Sequence, residues 1–317
     1  MLSRSSFTER LQASRELSWR HLGKRITFYL PGMFRLDGAT GRYPALSITG
    51  GKCALECDHC QGKILSTMID AQSTDQLVSQ CRRLAAGGNY GVLISGGCNA
   101  EGRLPWDRFL PAIATIKRET ALFISVHSGL IDDPTALRLK AVGVDQALID
   151  VVGDDETFKS VYHLPFGVDR IEASMTALQR AAIPMVPHIV CGIHYGGMRG
   201  EKNAVAMISR FKVQQVAIVS LMTLPGTRME KMRLPTPDAV ADIIAEVRFA
   251  TPQVPVSLGC ARQRGNRRLE VLAIEAGVNH LALPSEEAVE KAQSYGLDIS
   301  YQETCCSVLP DPSVLHY

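Results

Sequence analysis

Long hydrophobic runs are missing from this 317-residue chain: none approaches the roughly 18 apolar residues that a bilayer-spanning helix needs, which excludes a helical membrane protein. A dominant charge is missing too. The formal net charge is only +2, and nucleic-acid phosphate is normally bound by clustered Lys and Arg, so composition makes no case for nucleic acid. Met1–Arg20 has arginines and serines but no apolar core of a secretory signal. Nine cysteines, an odd number scattered along a long chain, do not make a disulfide framework, and a reducing cytoplasm is the expected setting. No Pro/Ser-rich linker divides the sequence, so one domain is expected. The 46% hydrophobic content supplies a large core for it.

What is present is a rhythm. Short β-branched runs at 45–49, 91–95, 121–126, 144–149, 185–190, 214–219, 254–258 and 279–283 alternate with helical patterns. The helices are expected near 72–86, 106–118, 133–142, 169–182, 200–210, 236–250, 265–276 and 286–294. Ser73-Thr74, Asp132-Asp133-Pro134 and Thr236-Pro237 are helix-start signals. Eight strand–helix units predict an α/β chain folded as a (β/α)8 TIM-type barrel over 45–294. An N-terminal extension over 1–44 precedes it, with a polar helix over 1–25, and a cysteine-containing tail over 295–317 follows.

In such barrels chemistry gathers at the C-terminal ends of the strands. The first strand delivers Cys53, Cys57 and Cys60, spaced C-x3-C-x2-C on one short loop. Three thiolates on such a loop suit an iron–sulfur cluster or zinc. Zinc usually takes a fourth protein ligand and cysteine pairs, and the loop has no second pair. Later strand ends carry Gly96-Gly97-Cys98, His127, Asp150, Cys191-Gly192-Ile193-His194, and Cys260-Ala261-Arg262. His127 and His194 are acid–base candidates.

The cysteine spacing resembles the signature of the radical S-adenosylmethionine (SAM) superfamily. That resemblance implies a 4Fe-4S cluster on Cys53, Cys57 and Cys60 with one open iron that SAM chelates. It places Gly96 and Gly97 against the SAM amino group; Asp150, closing the fourth strand, is a candidate to accept from ribose hydroxyls, with a helix cap or loop carboxylate as the alternative. Gly192 would support the adenine and His59 would stack near it; Arg262, by its own place at a strand end, is a candidate to fork onto an anionic group such as the SAM carboxylate.

Gly153–Leu164, Pro187–Gly196, Leu224–Met229, Ser257–Arg262 and Glu275–Asn279 resemble the biotin synthase-like branch. His194-Tyr195-Gly196 and Thr304-Cys305-Cys306-Ser307 look most like a subunit of the two-component lipoyl synthases. The resemblance implies a second, sulfur-donating 4Fe-4S cluster, for which Cys260, Cys305 and Cys306 are the candidate ligands, with Ser307 or a histidine as a fourth. It further implies an octanoyl-lysyl carrier domain as substrate, a complementary synthase subunit, and an electron donor such as ferredoxin or flavodoxin. Three alternatives stay open: biotin synthase-like sulfur insertion into a free small molecule, a radical SAM reaction without a sulfur donor, and a non-catalytic metal scaffold.

Overall fold

A computed structural model describes residues 4–36 and 39–308. Met1–Ser3, Asp37, Gly38 and residues 309–317 of the expected tail lie outside the described residues. The strands are β1 (Arg25–Tyr29), β2 (Arg35–Leu36), β3 (Ala39–Thr40), β4 (Ala45–Ser47), β5 (Ile69–Asp70), β6 (Gly91–Ser95) and β7 (Phe123–His127). They continue with β8 (Gln146–Asp150), β9 (Met185–Cys191), β10 (Val216–Ser220), β11 (Val256–Leu258), β12 (His280–Ala282) and β13 (Asp298–Gln302). The helices are α1 (Arg4–Leu22), α2 (Thr74–Ala86), α3 (Trp106–Glu119), α4 (Asp133–Ala141) and α5 (Asp155–Ser160). They continue with α6 (Asp169–Arg180), α7 (Glu201–Ile208), α8 (Pro237–Ala250), α9 (Arg267–Glu275) and α10 (Glu286–Ser294).

Helix starts follow the local chemistry. Ser73 caps α2 and forms a capping box with Gln76, Asp132 caps α4, and Thr236 caps α8 with Pro237 in the first turn. Eleven strands form one parallel sheet in the order β13-β1-β12-β11-β10-β9-β8-β7-β6-β4-β5, while β2 and β3 make a small antiparallel pair. Helices cover its outer face, so Ile94, Ile124, Ile218 and Leu258 are fully buried in the main core. Leu148, Val186 and Ala217, with Leu93 packed on them, make a separate apolar cluster inside the curve of the sheet.

The eight expected units stand in the expected order. The leader and tail differ from the expectation of separate extensions, because β1 and β13 belong to the barrel sheet. β1 lies between β12 and β13, parallel to both. β13 then approaches the start of β4, where the Arg42 amide donates to the Glu303 carbonyl (2.6 Å) and the two side chains form an ion pair (2.8 Å). Past that seam the chain turns inward, and Thr304, Cys306, Ser307 and Val308 are buried. Among the described residues, no helix is long and apolar enough to cross a membrane.

Candidate active site

The cysteine loop leaves β4 in a tight path. Ser47 Oγ donates to the Gly50 carbonyl (2.6 Å), and Glu56 and Gln61 adopt left-handed backbone angles (φ 43° each). The loop lies directly on the end of β6. The Ala54 amide donates to the Cys98 carbonyl (2.8 Å) and the Gly97 amide to Thr49 Oγ1 (2.6 Å). A Cβ on Gly97 would sit 2.0 Å from the Lys52 carbonyl oxygen and 2.6 Å from Cys53 Cα. Gly97 is therefore required for close approach of backbone to backbone at the cysteine loop.

Asp58, between Cys57 and Cys60, ties this loop to three others. Its side chain is only 9% exposed and accepts from His163 Nε2 (2.9 Å), Tyr195 Oη (2.8 Å) and Arg228 (2.7 Å). Those donors come from the loops after β8, β9 and β10. Burial pushes the Asp58 carboxyl up, but the three donors hold it below its ordinary value. Sequence reasoning missed Asp58, because nothing local distinguishes it from a solvated loop carboxylate.

A cavity of about 390 Å³ opens inside the barrel, lined by Cys53, Cys57 and Cys60 of the loop and also by Cys260, Cys305 and Cys306. The Cys57 thiol donates to Cys60, which with His59 beside it brings the Cys60 thiol down to about 4, while Cys57 is pushed up. His59 and Tyr162, with rings 5.3 Å apart, line the same cavity. His59 Nδ1 and Tyr162 Oη are buried with no hydrogen-bond partner. Gly96, Gly97, His127 and Asp150 also line it. His127 Nε2 lies 3.5 Å from Asp150 Oδ1. Burial alone would push Asp150 up; the neighbouring His127, and more weakly His188 and His59, bring it down to about 2. Burial pushes His127 down, but Asp150 overrides this and raises it. His188 is brought down to about 4 by burial, which Asp150 only partly offsets.

The tail completes the cavity wall. The Cys260 thiol hydrogen-bonds Cys306, which in turn hydrogen-bonds Cys305. The first of these contacts pulls Cys306 down, but donation to Cys305 and burial win and push it up to about 12. Accepting from Cys306 lowers Cys305 despite its burial. His188 Nε2 pairs with Ser307 Oγ at 3.0 Å.

Three expected site residues do not face this cavity. Arg262 is 1% exposed, and its guanidinium is held by Glu270 (2.7 Å) and the carbonyls of Gly259, Ala282 and Leu283. It is a buried structural ion pair, not a free fork for a carboxylate. His194 Nδ1 pairs with Thr157 Oγ1 (3.0 Å), outside the cavity. Gly192 donates its amide to Glu201, and a Cβ there would meet Pro235 at 2.7 Å, so the cavity face of that turn is Ile193. Cys191 is fully buried and Cys81 is buried in α2. Cys98 lines the cavity, with burial, assisted by Cys53, pushing its thiol up to about 12.

The sequence model of the radical SAM superfamily matches residues 47–208, half of the chain. The chain belongs to the radical SAM superfamily. Among its relatives, the biotin synthase of Halorhodospira halophila is 26% identical over 75% of this chain and 74% of its own. That of Geotalea uraniireducens is 25% identical over 74% and 72%. The fold is shared with methylornithine synthase (PylB), at TM-score 0.65 and 15% identity over 95% of this chain and 91% of that one. It is shared also with the hydrogenase maturase HydG from Carboxydothermus hydrogenoformans, at TM-score 0.67 and 16% identity over 95% and 73%.

Membership in this superfamily implies SAM and a 4Fe-4S cluster, and the residues fit both. Three thiols of one loop face a cavity in which an imidazole nitrogen and a phenol oxygen lack partners. Among the described residues no three His, Cys, Asp or Glu side chains converge on a single-ion site. A mononuclear zinc site would need such convergence, whereas each thiolate of a cluster takes its own iron.

Proposed function

We propose that this radical SAM enzyme inserts sulfur at unactivated C–H bonds, as a lipoyl synthase acting on an octanoyl chain carried by a lysyl carrier domain. One observation carries this reading: two separate groups of three cysteines line a single cavity. When bound, SAM and a reduced 4Fe-4S cluster supply a carbon-centred radical able to remove hydrogen from an unreactive carbon, and a second cluster supplies sulfide.

The chain's own residues do the rest. Cys53, Cys57 and Cys60 hold the first cluster, and Asp58 fixes their loop. Gly97 admits that loop, while His59, Tyr162 and the His127–Asp150 pair offer polar groups to SAM. Cys260, Cys305 and Cys306 hold the second cluster. Leu93, Leu148, Val190 and Val219 give the same cavity an apolar wall that disfavours water. Ile64 both lines the cavity and is exposed, an apolar lip suited to an entering acyl chain. The proposed partners are the carrier domain, a complementary synthase subunit and a ferredoxin or flavodoxin. Reduced thiols and clusters put the proposed setting in the cytoplasm.

The test is anaerobic iron and sulfide content with Mössbauer spectra, on the native chain and on Cys305→Ala/Cys306→Ala. About eight irons falling to about four supports the reading. About four in both removes the sulfur donor and leaves a radical SAM enzyme of another reaction. The biotin synthase relatives favour a second reading, sulfur insertion into a free small molecule such as dethiobiotin. Turnover of that molecule, with none of an octanoylated carrier domain, would select it.

A further inference from the structure

Two glutamines occupy the barrel interior, where apolar side chains ordinarily fill the layers. Gln146, the first residue of β8, and Gln215, just ahead of β10, are both 0% exposed. Burying an amide costs free energy that its hydrogen bonds offset, and Gln146, whose Oε1 is buried without a partner, has its Nε2 bond for this. Here both donate to the inserted tail. Gln215 Nε2 donates to the Cys306 carbonyl (2.8 Å), and Gln146 Nε2 to the Ser307 carbonyl (2.5 Å).

The Gln215 amide is held in this orientation because His280 Nδ1 pairs with its Oε1 at 2.6 Å. Ser257 Oγ adds a longer contact (3.4 Å) to the Cys306 carbonyl. The segment they grip is a turn closed by the Val308 amide donating to the Cys305 carbonyl (2.9 Å). With the carbonyls of Cys306 and Ser307 turned toward the glutamines, the thiols of Cys305 and Cys306 line the cavity beside Cys260.

We infer that Gln146 and Gln215 are positioning residues that dock the cysteine tail inside the barrel and so build the second cluster site. This rests on the sulfur-donor reading above. The turn is also met by His188 Nε2 on Ser307 Oγ (3.0 Å), by the Tyr29 hydroxyl donating to the Val308 carbonyl (3.4 Å) and by the Cys260 thiol on Cys306, so the glutamines are the two side-chain amides among its holds; ahead of it the tail is tied down by β13 on β1 and by the Arg42–Glu303 seam. Neither β13 nor that seam reaches the turn that bears the two cysteines.

The test uses the full chain with Gln146→Leu and Gln215→Leu, singly and together; leucine keeps the volume and removes the donor. Two readouts are taken. In the metal-free protein, iodoacetamide labelling of Cys305 and Cys306 is followed by mass spectrometry, with Cys81 as the folding control. Losing both bonds should speed tail labelling about tenfold or more while Cys81 stays protected. In the reconstituted protein, iron should fall from about eight to about four while SAM binding and the spectrum of the first cluster persist.

Unchanged labelling together with unchanged iron in the double variant overturns the inference. If the native chain itself holds about four irons, the sulfur-donor reading fails, and labelling of the metal-free chain still decides whether the glutamines dock the tail. If the double variant labels at Cys81, the single variants are read in its place. Single variants that both label like the native chain overturn the inference.

Discussion

Arg262 is the position where a binding role and a structural role make opposite predictions. Arg262→Met keeps much of the side-chain length and removes the charge. The change leaves Glu270, whose side chain is 5% exposed, with only the Ser285 amide at 2.7 Å to satisfy it. Removing one partner of a buried ion pair typically costs about 3–5 kcal/mol. Unfolding entropy of about 2.1 cal/mol/K per residue over 317 residues is about 0.7 kcal/mol/K, so a loss of about 4 kcal/mol lowers Tm by about 6 °C. Arg262→Met/Glu270→Met removes the orphaned charge as well and should recover part of the loss. Recovery stays incomplete, because the carbonyls of Gly259, Ala282 and Leu283 still lack their donor.

Melting and urea unfolding of the metal-free single and double variants measure the coupling, expected at about 2 kcal/mol. SAM affinity of the reconstituted Arg262→Met protein, by calorimetry, should stay within about twofold of native, or about 0.4 kcal/mol. Unchanged melting with a tenfold or greater loss of SAM affinity would refute the structural assignment and restore Arg262 as a SAM ligand.

Gly97→Ala should lose most of the first cluster, read as a drop of about half in total iron, because its Cβ overlaps the Lys52 carbonyl. Gly51→Ala, whose Cβ meets nothing within 4 Å, is the matched control and should load normally. Asp58→Asn keeps the shape and weakens three donors' hold, so hydrogen exchange over residues 53–63 should quicken in the metal-free chain; unaltered exchange would remove Asp58 from the loop's restraints. Asp150→Asn removes what raises His127, so burial then acts unopposed and the imidazole titration, followed by NMR, should move to lower pH. Asp150's contribution to stability is present above its unfolded value of about 3.9 and lost as pH falls toward about 2; that of the raised His127 is full below about 6.5 and lost as pH rises through its folded value. The stability gap between native and Asp150→Asn should therefore be widest between about pH 4 and pH 6.5, and a gap that grows toward pH 9 would contradict the pairing.

Legibility in the sequence followed the range of the interaction that decides each feature. Caps at Ser73, Asp132 and Thr236 are local chemistry, and the β-branched runs need only a periodicity, so the eight units could be read directly. β13 could not, because Asp298-Ile299-Ser300-Tyr301-Gln302 lies at a sheet edge, mostly exposed, and resembles a polar tail unless β1 is known to be its partner. Arg262 misled for a related reason. Its place at a strand end is a local fact, but Glu270, one helix further on, decides what the guanidinium does. Asp58, Gln146 and Gln215 gain their meaning only from groups 65 or more residues away, and polar residue type alone cannot separate an interior anchor from a solvated side chain. The tail cysteines were conspicuous because thiols are rare and adjacent there. The Gln146 and Gln215 amides that meet their turn are marked by no pattern in the chain.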